Sequence, residues 1–190
     1  NAAKAEDGST SRRPVTPLPL VRLHHAVVLL FAVLISGTEF QSVDEYYLTH
    51  ADDIKSGDKT VFVSIDCADI MSNYEKLDKS LAASGFVPRD GIILAKPEYV
   101  LREGDTAFDL LLRVTRYNKI HMEYQGADKT AFGSVYVRGI NHIYEFSCGT
   151  GSGWRYKVNG EYPDVGASKY VLSDGDTVEW VYTCDTEGGK

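Results

Sequence analysis

The three cysteines of this 190-residue chain are the side chains best suited to redox or metal chemistry. Cys67, Cys148 and Cys184 lie far apart in the sequence, and none belongs to a C-x-x-C pair. Neither a zinc ribbon nor a thioredoxin-type redox motif is therefore available. Two alternatives stay open at this point: one disulfide with a remaining free thiol, or a metal site built from three thiolates.

The sequence gives catalysis little support. Its five histidines are scattered along the chain, and a nucleophile made of Cys148 and His142 would need a spatial contact that no motif ensures. The signatures G-x-S-x-G and H-E-x-x-H and a paired-carboxylate pattern are all missing from the sequence. We therefore expect a protein that is not an enzyme.

Aromatic residues in the C-terminal part of the chain form a candidate platform for a ligand. Rings provide large, flat contact areas that suit a planar molecule. Alternating aromatic residues in strands, Trp180 among them, are also typical of a protein core, so a structural role stays open. Asn159-Gly160 mainly predicts a tight hairpin turn. The candidate ligand-binding residues are Trp154, Tyr156, Asn159, Tyr162 and Tyr170.

The charge balance argues against nucleic acid as a partner. The chain has 27 acidic and 20 basic residues, a formal net charge of -7. No run of lysine and arginine with interleaved aromatic residues is present. A nucleic-acid-binding surface needs clustered positive charge, so we expect no nucleic-acid partner.

The N-terminal residues predict a disordered or extended region and export. Residues 1–20 are polar and marked by prolines, and the apolar run at residues 26–35 is shorter than the roughly 20 residues that span a bilayer. With its basic lead and Ser36-Gly37, the segment 1–37 resembles a secretory leader. A retained anchor or vector-derived sequence are the alternatives. We expect an extracellular or cell-surface protein, with membrane contact only through this leader if it is retained.

A polar linker at residues 38–59 precedes the predicted domain, residues 60–185, and residues 186–190 form a tail. Val61, Val63 and Ile65 alternate with more polar residues and predict a first strand. Thr106 resembles a helix N-cap with Asp109 at the third helical position, which predicts one main helix of about 13 residues. Further strands are expected at residues 154–158, 169–172 and 177–183, giving an α+β fold.

Several ordered motifs resemble one known family, the transcobalamin C-terminal-like domain. The resemblance is greatest to its bacterial branch, an uncharacterised domain of surface and secreted proteins of Gram-positive anaerobes. It covers roughly residues 60–185 and implies a β-grasp-like mixed sheet crossed by one main helix. The motifs are TAFDLL from Thr106, FGSVYVRGIN from Phe132, SGWRYKVNG from Ser152, GASKY from Gly166 and DGDTVEW from Asp174.

The resemblance implies a non-catalytic binding function. In the animal carriers, this kind of domain closes over cobalamin from one side while a larger helical domain holds the other side. The sequence contains no such helical domain, so we expect a second protein to complete the site. The implied ligand is a corrinoid such as cobalamin, or another small planar molecule.

The resemblance also bears on the cysteines. A grasp topology places the first and last strands side by side and parallel, with Cys67 and Cys184 at the same end of the sheet. This favours a Cys67–Cys184 disulfide, and a metal ion becomes possible if Cys148 lies beside them. The second functional expectation is therefore a structural or adhesive surface module with a disulfide or a cysteine metal site. No cofactor beyond a corrinoid or a metal ion is implied.

Overall fold

The computed structural model describes residues 53–131 and 133–184, all of which belong to one compact unit. The predicted leader (1–37), most of the predicted linker and the tail lie outside the described residues. Within this range the chain forms a mixed α+β structure with two sheets and short helices, which confirms the predicted class. No helix in the described part is long and apolar enough to cross a bilayer.

Eight strands and three α-helices are found in the described part of the chain, with short 3-10 helices at Tyr74–Lys76 and Ala127–Lys129. The strands are β1 (Thr60–Asp66), β2 (Ile92–Leu94), β3 (Glu98–Val100), β4 (Met122–Gln125), β5 (Tyr136–Ile140), β6 (Ile143–Tyr144), β7 (Gly153–Val158) and β8 (Thr177–Thr183). The helices are α1 (Asp69–Ser72), α2 (Lys79–Ser84) and α3 (Ala107–Tyr117).

The larger sheet is built around β1 and β8, the first and last strands. Its order is β2-β1-β8-β7, and β3 shares the outer edge of β1 with β2. β1 and β8 run parallel, with Val63 opposite Val178 and Ile65 opposite Trp180. Both strands alternate half-buried and buried residues along their whole length, as expected for a sheet with one face in the core.

Helix α3 starts where the sequence predicts it. The Thr106 hydroxyl accepts a hydrogen bond from the Asp109 amide, and the Asp109 carboxylate accepts one from the Thr106 amide, which completes a capping box. The helix has 11 residues rather than about 13, and it buries an apolar stripe that includes Leu110, Leu111 and Val114. These side chains belong to the same core as the buried residues of β1 and β8.

A buried ion pair anchors α3 to the loop before it. Arg113 donates to both carboxylate oxygens of Asp105 at 2.8 and 3.1 Å, and to the Val100 carbonyl at 2.9 Å. The two charged side chains are only 10% and 9% exposed. Because the Arg102 amide also donates to Asp105, the carboxylate is well satisfied despite its burial.

The smaller sheet has the order β4-β5-β6. Residues 138–142 contain the end of β5 and the turn Asn141-His142 that leads into β6. Both turn residues have positive φ, 52° and 63°, the left-handed conformation that a two-residue hairpin turn requires. The predicted strand at residues 169–172 is reduced to one isolated bridge, Thr106 to Val171. The Lys169 amide donates to Gly166 within a turn, and the Tyr170 carbonyl accepts from the Ala107 amide at the start of α3.

Candidate functional site

Trp154 is a core residue. Its side chain is 7% exposed, and its ring meets Tyr182 edge-on with 5.3 Å between centroids. The indole Nε1 donates to the Ile143 carbonyl at 2.7 Å, which ties β7 to β6. Little of the ring remains for a ligand, so its position fits the structural alternative.

Tyr156, Tyr170 and Trp180 form a second aromatic group. Tyr156 stacks on Trp180 with 5.5 Å between centroids, and Tyr170 meets Tyr156 edge-on at 6.4 Å. The Tyr156 hydroxyl donates to the Val165 carbonyl at 2.5 Å, and burial raises the pKa of Tyr156 to about 12. This group holds the segment between β7 and β8 against the sheet.

Asn159 lies in the tight turn that follows β7, and Tyr162 lies just after it. We call residues 158–162, where Val158 bridges to Glu161, the β7 hairpin. Asn159 accepts from the Thr177 amide and donates to Asp176, so its amide group stabilises the turn. Tyr162 is 40% exposed, and the Arg155 guanidinium lies over its ring at 3.9 Å. The five predicted ligand residues therefore do not share one surface, and Tyr162 is the aromatic residue among them that is most accessible.

The structure brings together two histidines that the sequence leaves scattered. The rings of His121 and His142 stack with 4.1 Å between centroids and 15° between planes. Their contact follows from the pairing of β4 with β5, because the Asn141 amide donates to the His121 carbonyl at 2.7 Å. Recognising the hairpin turn at Asn141-His142 and pairing β4 with β5 would have revealed this contact from the sequence.

Two further rings extend the pair into a column of four, which we call the histidine column: Phe86, His142, His121 and Tyr144. Phe86 packs on the outer side of His142 at 4.1 Å, and the Tyr144 hydroxyl lies 3.5 Å from His121 Nε2. The Asn141 side chain donates to the Phe86 carbonyl at 2.7 Å and fixes the turn against that residue.

A cleft of about 330 Å³ opens beside the histidine column. Phe86, His142 and Tyr144 form its aromatic wall, and hydroxyl and carboxylate groups from α2 and its N-cap face them. This combination of rings with a few polar groups is typical of small-molecule sites. The complete lining is Asp78, Ser80, Leu81, Ser84, Phe86, His142, Tyr144 and Ser147.

Burial favours the neutral form of His121. Desolvation lowers the pKa of His121, and the neighbouring His142 lowers it further, whereas Glu123 acts in the opposite direction. The Nδ1 atom of His121 is buried without a hydrogen-bond partner in the described part of the chain. A neutral imidazole has one nitrogen with a free lone pair, so it can accept a hydrogen bond or coordinate a metal centre.

A second cleft, of about 500 Å³, lies at the opposite end of the smaller sheet. Tyr136, Val135 and Ala131 supply apolar wall, and Lys129 and Asp164 supply opposite charges. It contains no imidazole and none of the predicted ligand residues. Its chemistry is therefore less distinctive than that of the cleft beside the histidine column.

All three thiols are buried and free. Burial, and after it the neighbouring Cys148 thiol, raises the pKa of Cys184. Burial and then the charges of Asp66 and Asp90 raise the pKa of Cys67 to about 12. The Cys148 amide donates to Ser152, which precedes Gly153 opposite Thr183, so Cys148 lies near Cys184.

The predicted Cys67–Cys184 disulfide is not formed in the structure, and the strand register explains why. Asp66 lies opposite Val181 in the parallel pair, so the next position, Cys67, falls beside Tyr182 and two residues short of Cys184. Among the described residues, no group of three or more histidine, cysteine or acidic side chains is arranged to hold a metal ion. The predicted set of three thiolates is therefore not gathered there.

Part of the chain matches a known family model. Residues 104–184, from the approach to α3 through β8, match the model of a domain of unknown function, DUF4430. No curated protein matches the chain.

Among the solved structures that resemble the chain are two that are each 12% identical to it. One is a "putative metal binding protein" from Ruminococcus gnavus ATCC 29149, with a TM-score of 0.38, matched over 66% of this chain and 96% of that one. The other is haptocorrin in complex with Cbi, with a TM-score of 0.43, matched over 70% of this chain. The matched part spans about a quarter of haptocorrin, 26% of that chain. At TM-scores this low, neither likeness establishes a fold or a ligand for this protein.

Proposed function

We propose that this protein is an exported, non-catalytic binding domain for a small planar molecule, with a corrinoid as the candidate ligand. The observation that carries the proposal is the histidine column beside the 330 Å³ cleft, where Phe86, His142 and Tyr144 form an aromatic wall. The Phe86 ring, 41% exposed, gives a planar ligand a contact area, and the His142 imidazole in the cleft offers a nitrogen that can bind the metal centre of a macrocycle.

We further propose that the domain is a β-grasp-like member of the transcobalamin C-terminal-like group. The motif order from Thr106 to Trp180 supports this assignment, as does the parallel pairing of the first and last strands, β1 and β8. The capped helix α3, packed into the core of the same sheet, agrees with a sheet crossed by one main helix. The secretory character of residues 1–37 supports export to the cell surface or beyond.

The volume of the cleft determines whether a ligand needs a second protein to cover it. At about 330 Å³ it lies near the lower end of the range for drug-sized ligands, roughly 300–1,000 Å³. A macrocycle would fill the cleft with one edge and leave the rest of its surface in water. Full affinity for a corrinoid therefore requires a second protein over the exposed side, whereas a smaller planar molecule can bind to this chain alone.

Titration of the purified full chain with cobinamide and with aquocobalamin tests the proposal. We expect binding at micromolar to high-micromolar concentration, with a change in the visible spectrum where an imidazole coordinates cobalt. His142→Ala and Phe86→Ala should weaken binding by tenfold or more, because each removes part of the aromatic wall. Tyr162→Ala, at the distant β7 hairpin, serves as the matched control and should bind normally.

The outcomes separate the alternatives. Loss of binding in Tyr162→Ala alone would move the site to the hairpin. Absence of any corrinoid binding at high-micromolar concentration would exclude corrinoids as ligands of the isolated chain. The structural or adhesive module remains the second candidate, favoured by the placement of Cys148 and Cys184, which both contact the short helix α1 and its C-cap and would stiffen the domain if they were joined.

A further inference from the structure

Two buried cysteines converge on the same short segment of the chain. The Cys148 thiol donates to the Asn73 carbonyl at 3.5 Å, and the Cys184 amide donates to the Asp69 carboxylate at 2.7 Å. Asp69 and Asn73 are the first residue and the C-cap of α1, one helical turn apart. The loop after β6 and the end of β8 are thus held side by side by contacts that do not involve a bond between the sulfur atoms.

Hydrogen bonds also fix the backbone around Cys148. Its amide donates to Ser152 Oγ at 2.9 Å, and Ser152 Oγ in turn donates to the Gly149 carbonyl at 2.8 Å. The buried Tyr182 hydroxyl lies 2.8 Å from the same Ser152 Oγ, which links this loop to β8 two residues before Cys184. Gly153 lies opposite Thr183 in the β7–β8 pair, so the next position along each strand sets Ser152 beside Cys184. Because the Cys148 amide is held by Ser152, the two cysteines are close enough for side-chain rotation to join their sulfur atoms with little backbone movement.

We propose that Cys148 and Cys184 form a disulfide when the protein folds in the presence of a disulfide oxidant. One thiol loses its proton and attacks the oxidant's disulfide, releasing one thiolate and leaving a mixed disulfide. The second thiol loses its proton and attacks the protein sulfur of that mixed disulfide, which releases the second thiolate. Two electrons pass from the cysteines to the oxidant, and Cys67 remains a free thiol.

The burial of both sulfur atoms determines when the reaction occurs and how long the bond lasts. Cys148 is fully buried and Cys184 is 5% exposed, so an oxidant reaches them before the glycine-rich loop 149–153 has closed. Once formed, the bond is shielded from reducing thiols in the same way. It closes the chain from β6 to β8 and restricts the unfolded state, which stabilises the folded one.

Peptide mapping tests the proposal directly, because trypsin places each cysteine on a different peptide. Cleavage after lysine and arginine puts Cys67 on residues 60–76, Cys148 on residues 139–155 and Cys184 on residues 170–190. The full chain is refolded with oxidised and reduced glutathione, blocked with N-ethylmaleimide and digested. We expect a linked pair 139–155 and 170–190, and an alkylated Cys67 peptide.

Thermal unfolding provides the second readout. Oxidised wild type and oxidised Cys67→Ala should melt roughly 10 °C above their reduced forms, since both retain the crosslink. Cys148→Ala should show no difference between the two conditions. A linkage between peptides 60–76 and 170–190 would overturn the proposal, and so would complete alkylation of all three peptides after refolding. The mapping of wild type decides the matter even if a variant fails to fold.

Discussion

At the scale of single residues, the contact between His121 and His142 is the feature with the clearest chemical consequence. Two imidazoles stacked at 4.1 Å cannot both become charged without strong repulsion, and His121 is also desolvated. The neutral form of His121 is therefore favoured more in the folded chain than in the unfolded chain. The groups that face it are His142, Tyr144 and Glu123, of which only Glu123 favours protonation.

This contact predicts a loss of stability in mild acid. Because the pKa of His121 is lowered by folding, the unfolded chain binds its proton first, and stability decreases as the pH falls below about 6.5. The stabilisation that depends on neutral His121 is fully present above about pH 6.5. His121→Gln, which cannot be protonated there, should show a smaller decrease in Tm between pH 7.5 and pH 5. Equal decreases in both proteins would contradict the prediction.

Breaking the buried ion pair of Asp105 and Arg113 should lower the free energy of unfolding much more than breaking an exposed pair. Asp105→Ala leaves a guanidinium that is only 10% exposed without its carboxylate, which should cost about 3–5 kcal/mol of unfolding free energy in urea. Glu123→Ala is the matched control: its pair with Arg138 is 47% exposed on both sides, and its loss should cost about 1 kcal/mol or less. Similar losses for the two variants would show that the burial of Asp105 is unimportant.

At the scale of elements, the sequence predicts the parts with strong local signals. Alternation identifies β1 and β8, and the Thr106 and Asp109 pair marks the start of α3 within one residue. Residues 169–172 are also predicted as a strand, yet they form only an isolated bridge, because tertiary hydrogen bonds override the local strand propensity.

The candidate site is harder to predict because it depends on pairing between strands. Nothing local to His121 shows that it will stack on His142; the contact arises from the register of β4 with β5. For Trp154, in contrast, the local sequence suggests a ligand contact that the packing does not favour. An aromatic residue next to a glycine-rich loop resembles a ligand contact, but its burial against Tyr182 is decided by the packing of β7 on β8.

At the scale of the whole molecule, the described part of the chain should be a domain that folds alone. Its core is continuous from β1 through α3 to β8, and all described residues belong to one compact unit. A fragment of residues 53–184 should therefore unfold cooperatively, with a Tm within a few degrees of the full chain. Circular dichroism melting checks this, and a broad, non-cooperative transition would show that residues outside the fragment complete the core.

The parallel pairing of β1 with β8 also has a mechanical consequence. The domain begins at one end of this strand pair and finishes at the other, so tension between its two termini pulls the strands past each other lengthwise. Phe62 to Asp66 and Thr177 to Val181 would then bear the load together instead of opening one bond at a time. Single-molecule pulling from the two ends should give a high rupture force at short extension.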